Sequence, residues 1–205
     1  MDNVRKLVQR AQRGDTAAFE ELVRQYQDRI YALSYHLSGN QADAEDLAQE
    51  AFVKAFYGLK GFRNEADFGT WLHRITVNLW INVRRRERQT VSLDEPVQTG
   101  DGEVQRELAA TAEEPPEVLE RKEFQRFVQR ALGEISREHR VVLVLREMHD
   151  YSYEEIARVL DCSLGTVKSR ISRARTALKE KACALAEQAG VTLPVNRERR
   201  GGDSQ

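Results

Sequence analysis

Lys168, Arg170 and Arg173 alternate with Thr166, Ser169 and Ser172 in "DCSLGTVKSRISRAR", residues 161–175, where Asp161 is the sole carboxylate. Cations so placed can meet phosphate oxygens, and hydroxyl or guanidinium groups can read base edges if the segment enters a major groove as a helix. Gly165 and Thr166 near its start leave backbone amides open to a phosphate oxygen. A second mixture occurs in "HRITVNLWINVRRRER", where Asn78, Trp80 and Asn82 lie among His73, Arg74 and the run Arg84, Arg85, Arg86. Aromatic surfaces beside cations suit bases that have left a stack. A third stretch, "DAEDLAQEAFVKAF", sets Asp43, Glu45, Asp46, Gln49 and Glu50 ahead of Phe52. Carboxylates in the first turns of a helix either satisfy its positive end or form a docking edge that gives a partner its register. The residue types allow both.

Catalysis has no comparable support. His36, His73, His139 and His149 show no metal-ligand spacing, and His139 and His149 read as a surface and a loop residue. There is no glycine-rich phosphate loop ending in lysine and no nucleophile elbow. Cys162 and Cys183 are too few and too far apart for a disulfide framework or a zinc knuckle, and read as small packing residues. No catalytic residue, metal or cofactor is assigned.

The elements that must carry these residues are helical. Asp15 is placed to cap a helix whose apolar side runs through Phe19, Leu22, Val23, Tyr26, Ile30 and Leu33. Gly39 breaks the pattern, Asn40 can cap the next helix, and that helix repeats Leu47, Ala51, Phe52, Ala55 and Phe56. A third helix follows through Trp71, Leu72, Ile75, Leu79 and Val83. Trp71 lies on its continuous apolar stripe and reads as core, whereas Trp80 lies off it. Further on, helical spacing returns from Leu119 to Leu132 and from His139 to Met148. Ser152 and Glu155 have the spacing of a capping box ahead of Ile156, Ala157 and Leu160. Ser163 can cap the next helix, with Val167, Ile171, Ala174 and Leu178 facing inward. Two short helices joined by a tight turn, the second basic, predict a helix-turn-helix.

Between the two blocks, residues 87–120 hold ten carboxylates against two arginines, with Gly100, Gly102 and Pro115-Pro116. Such a segment gains little from burial and is expected to be a flexible acidic linker. It also accounts for a formal net charge of −1 in a chain of 205 residues with basic surfaces. The start has no apolar signal core, and no apolar run reaches about 18 residues. A cytoplasmic protein without direct membrane insertion is expected.

Three stretches taken together resemble the extracytoplasmic-function sigma factors, the compact sigma-70 type factors of bacterial RNA polymerase: "DAEDLAQEAFVKAF", "FGTWLHRITVNLWINVRRR" and "LREMHDYSYEEIARVLDCSLGTVKSRISRARTALK". The resemblance implies an all-α fold of two small helical domains joined by a flexible acidic linker. It divides the chain into a region 2 domain over 1–88, a linker over 89–118, a region 4 helix-turn-helix domain over 119–186 and a disordered tail over 187–205. It also implies core-polymerase docking through Asp43, Asp46, Gln49, Glu50 and Phe52. Minus-10 DNA contacts fall on Phe62, Arg63, Asn64, Phe68, His73, Arg74, Asn78, Trp80, Asn82, Arg84, Arg85 and Arg86. Minus-35 contacts fall on Gly165, Thr166, Lys168, Ser169, Arg170, Ser172 and Arg173. Where one common pattern has Arg-Gly after the loop phenylalanine, this chain reads "FRNEADF", which leaves the captured base open. The implied partners are core RNA polymerase, promoter DNA and an anti-sigma protein, in this family often membrane-associated. The rival readings are a stand-alone helix-turn-helix regulator and a protein-binding adaptor.

Overall fold

The computed structural model describes residues 2–63, 67–91 and 116–190. The expected linker lies mostly outside these residues, as do Asn64 and the chain beyond Gly190. The described residues form helices and turns, in two units.

The first unit contains α1 (Asp2–Gln12), α2 (Thr16–Ser38), α3 (Gln41–Gly58), a single 3-10 turn (Leu59–Gly61) and α4 (Phe68–Val91). Its caps are those the sequence predicts. The Asp15 carboxylate accepts from the Ala18 amide at 3.1 Å, and Asn40 Oδ1 accepts from the Asp43 amide at 2.9 Å. Each thereby satisfies one of the amides that a helix start leaves without an intrahelical partner. Gly39 ends α2 in the left-handed conformation at φ 90°, and its amide donates to the Tyr35 carbonyl. That φ suits a residue without a Cβ. Leu22, Ile30, Ala51, Ala55 and Leu72 close the core of this unit. Phe56 departs from the expected inward stripe. It is 45% exposed and makes edge contacts with Phe19 and Tyr57.

The second unit contains α5 (Pro116–Gly133), α6 (Arg137–Leu143), a π-helical turn (Val144–Met148), α7 (Tyr153–Leu160) and α8 (Leu164–Ala189). The π turn interrupts what the spacing predicts as one helix from His139 to Met148. The capping box forms as expected: Glu155 N–H donates to Ser152 Oγ at 3.2 Å, and Ser152 N–H donates back to Glu155 Oε2 at 2.8 Å. Helix α4 runs through Val91 and α8 through Ala189.

One apolar cluster joins the units. Leu33, Leu37, Leu47, Val77 and Trp80 of the first are packed in a single core with Leu132, Ile135, Val141 and Ile156 of the second. This explains why Trp80 lies off the stripe of its own helix. In α4, Leu72 faces the first unit's core, while Val77 and Trp80 face the second unit. One helix thus presents two buried sides. Trp80 is expected from the sequence at a DNA surface and is instead buried here, beneath the guanidinium groups of Arg137 and Arg140 at 6.0 and 5.7 Å.

Arg140 fastens this seam. Its Nη1 donates to the Leu37 carbonyl across the units at 2.8 Å, while Nε and Nη2 donate to the Leu132 and Gly133 carbonyls at 2.7 and 2.8 Å. Gln129 adds a second bridge, donating to the Tyr35 carbonyl at 2.7 Å. Hydrogen bonds from a charged donor each contribute about 1.5–3 kcal/mol, and their carbonyl partners lose more when left buried and unpaired. Arg140→Met keeps the side-chain stem over Trp80 but removes the donors. It is expected to lower stability by about 2–3 kcal/mol, read as a lower urea midpoint for the full chain; an unchanged midpoint would contradict this role.

Candidate nucleic-acid and polymerase interface

The basic helix divides as its sequence requires. Val167, Ile171 and Ala174 are buried at helical spacing, and Lys168, Ser169, Ser172 and Arg173 are exposed on the other sides. Ser163 holds the start: its Oγ accepts from the Thr166 amide at 3.2 Å and lies 2.8 Å from Thr166 Oγ1. Gly165 is exposed, with room for a Cβ, so space alone does not demand glycine there. Arg175 points back into the unit, donating to Glu147 at 2.7 and 3.1 Å; that carboxylate holds its pKa above the ordinary arginine value. It anchors the helix, whereas Arg170 is half-buried with its guanidinium 3.5 Å from Glu138.

On α4, Arg74, Asn78, Ile81 and Asn82 share one exposed side. The same helix carries Arg84, Arg85 and Arg86, whose side chains lie outside the described residues. The loop ahead of it is turned inward. Phe62 and Phe68 are buried with Trp71, their ring centroids 4.8 and 5.7 Å from its ring. Gln12 holds this loop from α1, donating to the Leu59 and Phe62 carbonyls at 3.0 and 2.8 Å. Gly69 sits so close beneath Tyr26 that an added Cβ would lie 2.9 Å from its ring. Arg63 and Asp67 remain exposed on the loop. Phe62, Phe68, His73 and Trp80, expected on an accessible DNA face, are therefore all covered in this arrangement.

Part of each polar side faces the other unit across the seam. Asn78 and Ile81 from α4, with Arg137, Glu138, Leu160 and Arg170 from the second unit, line one cleft of about 460 Å³. Arg74 crosses the same gap to Asp161 at 3.7 Å. That volume suits a small molecule, not a duplex, so nucleic acid could reach Asn78 and Arg170 together only after the units part, whereas Lys168, Ser169, Ser172 and Arg173 lie open.

The acidic edge of α3 is open. Asp43, Asp46, Gln49 and Glu50 are exposed, and Phe52 is half-buried. Sequence reasoning missed what continues the edge: Val53 and Tyr57, 46% and 77% exposed, extend the line from Asp46 and Glu50 at helical spacing. Carboxylates followed by uncovered apolar side chains can give a partner both charge complementarity and buried area. Among the described residues there is no cluster able to hold a metal ion, and no helix long and apolar enough to cross a membrane.

Two family models match, "Sigma-70 region 2" over residues 22–90 and "Sigma-70, region 4" over residues 127–178. The chain is 34% identical to the ECF RNA polymerase sigma factor SigW of Bacillus subtilis, over 87% of this chain and 96% of that protein. It is 38% identical to the ECF RNA polymerase sigma-E factor of Escherichia coli K12, over 85% of this chain and 92% of that one. Among solved structures, CnrH in complex with the cytosolic domain of CnrY superposes with a TM-score of 0.64 at 27% identity, covering 89% of this chain and 99% of that one. The sigma factor RpoE in complex with the anti-sigma factor NepR, from Bartonella quintana, gives 0.58 at 25% identity, covering 80% and 95%.

Because the Ser163 side chain accepts from the Thr166 amide at the start of α8, Ser163→Ala is expected to cost about 1 kcal/mol. Thermal unfolding followed by circular dichroism measures this, and a variant as stable as the parent would contradict it.

Proposed function

The chain belongs to the extracytoplasmic-function group of the sigma-70 family, and from that premise we propose how its surfaces divide the work of promoter recognition. As a sigma factor it directs core RNA polymerase to promoters. The assignment of tasks to residues is supported most by one observation: α8 turns an acid-free side of Lys168, Ser169, Ser172 and Arg173 outward while its apolar residues fix it in the second unit.

In this reading α8 enters the major groove of the minus-35 element. Lys168 and Arg173 meet phosphates and set the register; Ser169, Arg170 and Ser172 reach base edges, and Gly165 and Thr166 at the helix start lie along the backbone. The Arg74, Asn78 and Asn82 side of α4, extended by Arg84, Arg85 and Arg86, tracks the minus-10 strand. Arg63 and Asn64 of the preceding loop take an extruded base, and the buried Phe62 and Phe68 hold that loop from beneath. Melting of this kind is driven by binding: contacts to the displaced strand offset the few kcal/mol of unstacking. The α3 edge of Asp43, Asp46, Gln49 and Glu50, with Phe52 behind it, docks on the polymerase. Residues 1–88 thus form the docking and minus-10 domain, 89–118 the acidic connection and 119–186 the minus-35 domain.

The nucleotide chemistry belongs to the polymerase, and this chain is assigned no turnover of its own. A cytoplasmic location follows from the partner. An anti-sigma protein is a further partner, as in the complex of the similar Bartonella quintana RpoE, and a membrane-associated one would hold the chain near the membrane.

Minus-35 duplexes selected from a random library by the reconstituted holoenzyme provide the test. Arg170→Ala is expected to weaken duplex binding by about 1–3 kcal/mol, the range for a base-reading contact, while core-polymerase affinity stays unchanged. Equal loss of both would contradict the division of tasks. Specific duplex binding without any core complex would favour a stand-alone regulator, and core binding without promoter dependence an adaptor.

A further inference from the structure

Three imidazoles converge where the two units touch. His36 comes from α2, His73 from α4 and His149 from the turn after the π-helical segment. The His149 ring lies 5.8 Å from that of His36 and 5.7 Å from that of His73. His73 Nδ1 lies 2.7 Å from the Gly69 carbonyl and 2.8 Å from the Tyr151 hydroxyl, so a protonated Nδ1 serves the carbonyl and leaves Nε2 bare. His73 Nε2, His149 Nε2 and His36 Nδ1 are all buried without a hydrogen-bond partner among the described residues.

A proton added to this cluster is poorly received. Desolvation is the largest effect on each ring and disfavours its charged form; at His149 the neighbouring His73 and His36 add to it. The other groups facing the cluster pull in both directions. Arg29 opposes a positive charge at His73 and Asp67 favours it, while Thr70, Glu155, Asp67 and Arg29 act on Tyr151. Burial outweighs them, because the imidazoles are held below their ordinary range and His149 is pushed down to about 4. Tyr151, pushed up to about 12, stays a neutral hydroxyl throughout.

We propose that this cluster is a proton-sensitive latch between the two units: neutral, it keeps α4 packed against the second unit, with Asn78 and Arg170 in one cleft, and protonated, it lets the units part. The consequence for DNA binding rests on the function proposed above; the latch itself rests on the seam. The direction follows from linkage. Each histidine has a depressed value when closed and regains the ordinary 6.5 when the units part and water reaches it. Closure is therefore fully favoured above pH 6.5 and is lost as pH falls from 6.5 toward 4. For His149 alone, going from pH 7.5 to 5.5 shifts the closed-to-open ratio about tenfold toward open.

Small-angle X-ray scattering of the full chain between pH 7.5 and 5.5 reads the opening, with His149→Gln as the variant that cannot charge. The parent is expected to be compact at pH 7.5 and to expand reversibly by pH 5.5, and His149→Gln to need a lower pH for the same expansion. A parent already open at pH 7.5, a parent of constant size, or identical expansion in the variant would each overturn the proposal. Imidazole NMR titration of the parent gives a readout that needs no substitution: ordinary midpoints for all three cluster histidines while the chain is compact would also overturn it. Core-polymerase binding at pH 7.5 separates the two readings, since its loss sinks the sigma-factor assignment and leaves the latch standing, whereas pH-independent scattering with core binding intact sinks the latch alone.

Discussion

Trp80 beneath Arg137 and Arg140 is the contact on which the arrangement of the chain depends. An indole is too large to leave half-covered at little cost, and burying one against a well-packed core is worth about 3–5 kcal/mol as judged by truncation to alanine. Once it is covered by the second unit, Leu33, Leu37 and Val77 are covered with it, in a core that spans both units beside the first unit's own. The backbone carbonyl of Leu37, at the closing turn of α2, then needs a donor from the other unit, which Arg140 supplies. The polar contacts of the seam are therefore consequences of an apolar one.

The same packing sets the terms for function. The helix α4 uses two of its sides for burial, so among its described side chains only Arg74, Asn78, Ile81 and Asn82 are exposed. Of these, Asn78 and Ile81 look into the cleft that Arg170 lines from the other side. Use of Asn78 and Arg170 together on a duplex has to open this cleft, and opening it breaks the seam. A polymerase that fixes their separation would supply that work through contacts such as the exposed edge of α3. The seam is thus a natural place for regulation, by a bound protein or by protons.

Much of this was legible in the residues. Asp15, Asn40, Ser152 and Ser163 act as the caps that their types and positions predict, because capping depends on a few neighbouring residues. The inward stripe of Val167, Ile171 and Ala174 was legible for the same local reason. Trp80, His73 and Phe62 were read toward DNA and are buried, because periodicity says that a side is apolar without saying what covers it. The covering residues of Trp80 lie about sixty positions further along the chain, beyond any local pattern. His149 read as an ordinary loop residue; only the tertiary fold brings it against His36 and His73. The exposure of Phe56 and Tyr57 was hidden likewise, since apolar residues at helical spacing look the same whether a partner is part of the chain or separate from it.

The central claim is that this chain lends promoter choice to a polymerase that lacks it. Transcription by purified bacterial core polymerase on a genomic template library, with start sites mapped in the presence and absence of the chain, tests that claim most directly. The account predicts a discrete set of new starts appearing only with the chain and sharing two upstream elements at fixed separation. Start sites that are unchanged by its addition would contradict it.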